Sequence, residues 1–430
     1  MLKTPLTIIS LTLAVLISQF AYANVNQLSP AYSRHVMIVK GKELPMLMGK
    51  SEKVFSVMVM KGNSFIPIPY QFDDIDILGF PYVPNGLFEI NGKEGIIEAQ
   101  DELVFMLRDT GGKASAEQIN KLKGSEDLMV AELSIQVNGE PYFAYVIENN
   151  TERSKKHYTY FDQKSGLVST DKYTLQTTPD DILIWSDLMY TGYKPGVTIF
   201  DTMKLRIRAR LGFIKATIHN DLIPTEILAV KNGPVRSMVS FQIKIALLGI
   251  KLANAGSVMT FSEDGMKVPV FAHIPSIAAT LSDLSIDISM DFNDLDGAKI
   301  RTALGPTTPM IVGSDAGSKP EEHKISIKDS WLAGTTEKDF DIIAFFKAPD
   351  SFNPNLVALY YDTFWGAKPD KPERFEGSHP EIGYHIKNIP HNSDALFTIE
   401  MYFGDNLWSY GIDETLKEIR SPPKLSVQNF

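Results

Sequence analysis

Apolar and polar residues alternate along most of this chain with a period of two. In "LSIDISMDFN", Leu284, Ile286, Ile288, Met290 and Phe292 fall on one face. Ser285, Asp287, Ser289, Asp291 and Asn293 fall on the other, which predicts a half-buried strand. "KLRIRARLG" behaves alike, with Leu205, Ile207, Ala209 and Leu211 opposed to Lys204, Arg206, Arg208 and Arg210. "EILAVKNGPVRSMVSFQIKI" reads as two strands around Lys231-Asn232-Gly233, where Asn-Gly supplies the positive φ of a hairpin. "DLMVAELSIQVNGEPYFAYVIE" makes a second pair around Asn138-Gly139, and "FDIIAFFKAP" followed by "NLVALYYDTFW" a third. The most apolar stretch, Ile245 to Phe261, is interrupted by Lys251, Asn254 and two glycines. It predicts two buried strands and a turn, not a membrane span.

Helices are few. "SAEQINKLKG" has Ser115 and Gln118 at capping-box spacing and Gly124 as a stop. "DETLKEIRSPP" places Asp413 at one end and Arg420 at the other, before Pro422-Pro423. No repeat of fixed period is present. The expected class is therefore mostly β, an antiparallel β-sandwich with a smaller amino-terminal β domain. A polar run, "NNTERSKK" from Asn149 to Lys156, marks the seam between domains 24–150 and 151–430. A second irregular zone, Pro306 to Glu322, reads as an exposed loop.

The first residues change the picture. Lys3, an apolar run from Leu6 to Phe20 and Ala21-Tyr22-Ala23 are the three parts of a secretory signal, with cleavage expected after Ala23. The protein is then expected in the periplasm or outside the cell, without stable membrane insertion. Of 430 residues none is Cys and 44% are hydrophobic, so an exported chain of this length must rely on a large conventional core. A formal charge of −10 argues against nucleic acid as a partner. No Gly-x-Ser-x-Gly elbow, P-loop or dinucleotide fingerprint occurs.

The order of long antiparallel strands, with "KNGPVR" (Lys231 to Arg236) at a hairpin and a late short helix running into "PPKLSV", resembles the supersandwich class. That class includes galactose-mutarotase-like domains and the sandwich portions of secreted polysaccharide lyases. The resemblance covers roughly the last two-thirds of the chain and implies a fold, with no catalytic residue carried over. "PYQFDDID" with "DELVFMLRDTG" is similar to segments of exported bacterial proteins, which implies a shared fold alone.

Three groups of residues are candidates for chemistry. Asp73, Asp74 and Asp76 follow an apolar run, and Asp101, Glu102 and Asp109 flank another strand that could pair beside it. Their oxygens could converge on a calcium ion, the only cofactor the sequence suggests. Solvated strand ends with Arg108 or a lysine as counter-ion are the plainer account. "DFNDLDG", Asp291 to Gly297, fails the EF-hand spacing and reads as a turn.

Arg206, Arg208 and Arg210, with Lys204, Arg236 and Lys244, could form a groove for an acidic glycan, since Arg grips carboxylate or sulfate bidentately. Cross-strand pairing with Asp287 and Asp291 is the simpler alternative. Trp365 stands among aromatics that could stack on a sugar. Tyr384 or His385 could abstract a proton α to a uronate that Arg236 or Arg374 neutralises, as a lyase requires. Aromatics in an alternating strand are more often core. His379, His385 and His391 lie six apart, which is no metal-ligand spacing. The sequence favours an exported binder of an extended, acidic glycan, ahead of a polysaccharide lyase or hydrolase and of a non-catalytic assembly factor with a surface-protein partner.

Overall fold

The computed structural model describes residues 28–123, 128–247, 250–293, 295–304, 308–313, 321–352, 354–361 and 380–430. Their strands form antiparallel sheets, and no described helix is long and apolar enough to cross a membrane. The fold is the mostly β sandwich that the alternation predicts.

Two large sheets dominate. The nine-stranded one runs, in spatial order, through Thr225–Asn232, Arg236–Leu247, Ile250–Ser262, Gly265–Ile274, Ser393–Gly404, Asp341–Lys347, Leu332–Thr335, Lys299–Thr302 and Met310–Ile311. The six-stranded one runs through Ile214–His219, Phe200–Leu211, Ser282–Phe292, Glu381–Lys387, Asn355–Tyr361 and Glu321–Ile325. Phe241, Met259, Phe346 and Phe397 from the first meet Met203, Ile207, Met290 and Tyr384 from the second in one core. Interdigitation of two inner faces is what joins stacked sheets.

A smaller pair of sheets precedes them. Val36–Lys40, Glu102–Met106 and Tyr70–Asp73 form one. The other is ordered Lys424–Asn429, Val130–Val137, Glu140–Glu148, Phe55–Lys61 and Ser64–Pro67. They share a core that includes Val39, Val57, Phe105, Leu133 and Val146. The last strand of the chain thus crosses the expected boundary near residue 150, pairing Leu425 with Ile135 and Val427 with Leu133. A further four-stranded sheet covers Thr159 to Tyr190.

Both expected helices form, at Ala116–Lys123 and Ile412–Arg420. At the first, Gln118 N donates to Ser115 Oγ at 3.2 Å and Ser115 N to Gln118 Oε1 at 2.8 Å, the reciprocal bonds of a capping box. Asn138 and Gly139 sit at φ +51° and +89°, as their hairpin requires.

Two expectations need correction. Asp341–Lys347 and Asn355–Tyr361 do not pair; they lie in opposite sheets and contribute Ile342, Ala344 and Phe346, and Leu356, Ala358 and Tyr360, to one core. At the Lys231–Asn232–Gly233 turn neither Asn232 nor Gly233 has positive φ. Gly233 is needed for closeness instead: a Cβ there would stand 2.3 Å from Gln71 Oε1. That oxygen accepts from Val235 N at 3.0 Å and Arg236 N at 2.9 Å. Of the range Pro306 to Glu322, expected as an exposed loop, residues 306–307 and 314–320 lie outside the described residues, while Met310–Ile311 pairs with Lys299 and Ile300 and Glu321 and Glu322 begin a strand.

Candidate functional site

The acidic cluster is a buried joint. Asp73 ends its strand fully buried, with Arg236 Nε at 2.7 Å and Lys231 Nζ at 2.8 Å. Arg236 Nη2 also reaches Glu102 Oε2 at 2.5 Å, and Lys40 Nζ reaches Glu102 Oε1 at 2.7 Å. Burial alone would raise the Asp73 carboxyl, but Arg236 and Lys231 outweigh it and hold it below the usual carboxylate range. These charges tie the three-stranded sheet to the hairpin at residues 231–236. Arg236 is therefore engaged by Asp73 and Glu102, whereas His385 meets Asp287.

The other acids accept main-chain protons. Asp76 Oδ1 takes Leu78 N at 2.8 Å and Phe80 N at 3.0 Å; Asp74 takes Gly95 N at 3.1 Å. Asp101 takes Ile75 N at 3.2 Å and Glu98 N at 2.7 Å, and Asp109 accepts from the Tyr158 hydroxyl at 2.7 Å. Burial raises the Asp101 carboxyl to about 6. The expected wet turn is thus a dry one, and among the described residues no three His, Asp or Glu side chains gather as a metal site. Several of the oxygens that the calcium expectation relied on are engaged within the protein, by main-chain N–H groups at Asp74, Asp76 and Asp101 and by the Tyr158 hydroxyl at Asp109.

The six-stranded sheet departs in part from its expected burial. On Ser282–Phe292 the polar residues Ser285, Asp287, Ser289 and Asp291 are buried, while Leu284, Ile286 and Ile288 are partly exposed. Register explains the polar side. Arg206, Asp287 and His385 lie abreast on three adjacent strands, as do Arg208, Ser285 and Lys387. Asp287 accepts from both Arg208 Nη1 and His385 Nδ1. Arg206 grips Glu381 bidentately, with Nη2 to Oε2 at 2.9 Å, and Ser289 Oγ donates to Glu381 Oε1 at 2.6 Å. Lys204 Nζ lies 2.6 Å from Asp291 Oδ2, and Arg210 Nε 3.1 Å from Asp283 Oδ2.

This is the cross-strand pairing, extended by one strand. Arg206 is 3% exposed, so it offers no groove to a passing glycan. Burial would raise Glu381, yet Arg206 holds it below its ordinary value. Asp291 is the exception: burial raises its carboxyl to about 7 against the pull of Lys204.

The apolar side explains the partial exposure. Leu205, Leu284, Ile286 and Ile288 face Ala253, Ala255, Ala272, Ala344 and Ala395 of the nine-stranded sheet across a cavity of about 160 Å³. Sheets stack roughly 10 Å apart, and alanines leave that gap unfilled. Val268, Val270, Ile245, Phe241 and Phe397 complete an almost wholly hydrocarbon lining. Tyr384 belongs to this wall: it is 2% exposed, and its hydroxyl donates to Ser330 O at 2.9 Å. Alternation therefore puts Tyr384 inside and His385 outside, so they cannot share a substrate.

His385 instead lines a second, polar recess of about 410 Å³ with Asp283, Lys387, Asn388 and His391. Leu284 and Ile389 are common to both linings, so the recess adjoins the cavity. Trp365, Arg374 and His379 lie outside the described residues. Sequence reasoning reached His385 and His391 but missed the cavity. The available signal was the recurrence of alanine at inward positions of four different strands.

No family model matches the chain, and no curated protein matches it in sequence. Solved structures match it in shape. An α-mannosidase from Enterococcus faecalis V583 superposes with a TM-score of 0.50 at 8% identity, over 92% of this chain and 44% of that one. A protein in glycosyl hydrolase family 38 from Enterococcus faecalis gives 0.42 at 8% identity, over 97% and 50%. A GalM/aldose epimerase homologue from C. elegans gives 0.34 at 12% identity, over 57% and 98%. The chain spans less than half the length of the α-mannosidase. The likeness is one of fold, and it agrees with the sandwich resemblance that the strand order and the hairpin at 231–236 carry.

Proposed function

We propose that the protein is an exported, non-catalytic carrier of a glycan-bearing amphiphile, with the hydrocarbon part held between the two large sheets. One observation carries this reading: inward Leu284, Ile286 and Ile288 remain partly exposed around a cavity walled by alanines. Dry apolar cavities of about 150 Å³ take up small apolar molecules. The volume here, about 160 Å³, suits a short hydrocarbon segment. The sugar part of the proposal rests on the sandwich fold shared with the α-mannosidase, and the export on the leader-like first 23 residues.

Arg206, Arg208 and Arg210 each pair with a carboxylate of the protein, which favours the carrier over an acidic-glycan groove. The lyase assignment loses Tyr384 and Arg236 for the same kind of reason. Displacement of a polarity-sensitive naphthylamine dye by n-alkyl glucosides, below their micelle concentrations, tests the carrier. Saturable displacement that free glucose fails to produce is expected. If neither alkyl glucosides nor alkanols displace the dye, the cavity holds no ligand and the reading falls.

A further inference from the structure

Arg301 stands apart from the other arginines. Each of those described pairs with a carboxylate or, as Arg153 does, donates to main-chain oxygens. Arg301 has no carboxylate in salt-bridge reach among the described residues, and its Nε is buried without a hydrogen-bond partner. Its guanidinium lies over the Trp331 ring instead, 5.6 Å from the centroid. An aromatic face holds a guanidinium by cation–π attraction and leaves its planar fork open for an acceptor.

The fold places this group in a recess. The helix Ile412–Arg420 packs Ile412 and Leu416 against Trp331, Ala333 and Ile343 on the outward side of the nine-stranded sheet. Arg301 pairs across to Ala333 at the edge of that contact, while its neighbour Ile300 joins the central core on the other side. Between helix and strand opens a space of about 560 Å³, lined by Arg301, Asp329, Trp331, Asp413, Lys417 and Arg420 among others. Small-molecule clefts commonly measure ~300–1,000 Å³.

The lining carries both donors and acceptors. Lys417 is exposed and, like Arg301, makes no ion pair among the described residues. Arg420 is committed, with Nη2 2.5 Å from Asp329 Oδ1. Asp413 is exposed and unpaired, an acceptor for hydroxyl groups. Two carboxylates in the wall disfavour a compact dianion such as sulfate. A single carboxylate borne on a hydroxylated ring meets the whole set. We infer that this recess binds a sugar carboxylate, a uronate. Arg301 grips the carboxylate through its Nη groups, Lys417 adds charge, and Asp413 accepts from ring hydroxyls. The site lies across the sheet from the apolar cavity and stands independently of the carrier reading.

Isothermal titration of the native protein with trigalacturonate, trimannuronate, galactotriose and sodium sulfate tests it. At least one uronate should bind tenfold or more tightly than neutral galactotriose. Arg301→Met should cost that uronate at least tenfold. Lys417→Gln, at an exposed and unpaired position, should weaken it several-fold and keeps the test decisive if Arg301→Met proves unstable. Failure of both uronates to bind, or affinities unchanged in both variants, would overturn the inference. Sulfate binding as tightly as the uronates would overturn the assignment to a sugar acid. Dye displacement by alkyl glucosides should be the same in Lys417→Gln as in the native protein; its loss there would overturn the independence of the two sites.

Discussion

Leu284 and Ile389 form a shared wall between an apolar cavity and a polar recess. Leu284 stands two residues from Ile286, at the middle of the partly exposed apolar face. A bulky side chain here should act on ligand uptake before it acts on folding. Ile286→Trp should fill the cavity and abolish dye uptake, with overpacking costing about 1–3 kcal/mol in urea denaturation. In the native protein each added methylene should strengthen binding by about 0.8 kcal/mol, roughly fourfold, until the cavity is full. Affinity indifferent to tail length would contradict the site.

Arg236 and Asp73 hold the smaller sheets against the sandwich. Arg236→Met leaves Asp73 and Glu102 buried with one cation fewer each, and should cost about 3–5 kcal/mol. The triple change Asp73→Asn, Glu102→Gln, Arg236→Met should recover much of that loss, because the uncompensated charges are gone. Equal instability of the single and triple variants in chemical denaturation would show that packing, not charge, dominates the joint.

Asp291 makes stability depend on pH in an unusual direction. Its carboxyl is raised by burial to about 7, above its unfolded value near 4. Folding therefore favours the protonated form, whose contribution is complete below about pH 4 and lost as pH rises through 7. Asp291→Asn removes this dependence. Between pH 5 and 8 the native protein should lose about 2 kcal/mol relative to the variant. A constant difference across that range would mean that Lys204 keeps Asp291 ionised throughout.

Gly233→Ala should destabilise by about 1–2 kcal/mol, since its Cβ would displace the Gln71 amide from two main-chain donors. Adding Gln71→Ala should relieve the clash yet leave Val235 N and Arg236 N without their acceptor. A neutral Gly233→Ala in thermal melts would show that the Gln71 contact is dispensable.

The alternation of Leu284 to Phe292, the capping box at Ser115 and Gln118, and the Asn138-Gly139 turn determined strands, a helix and a hairpin from local sequence. Each depends on residues at most eight apart, so the local chain specifies them. What lies on the two sides of a strand is not local. Asp287 is buried because Arg208 and His385 arrive from neighbouring strands, the latter almost a hundred residues later in the sequence. Gly233 is a contact site for Gln71 although it looks like an ordinary turn glycine. The cavity exists because alanines from separate strands face the same three aliphatic side chains, and no single window of sequence contains that juxtaposition. Period two fixes which residues share a face, but the energy of that face depends on what the opposite sheet presents, and only the folded chain decides that.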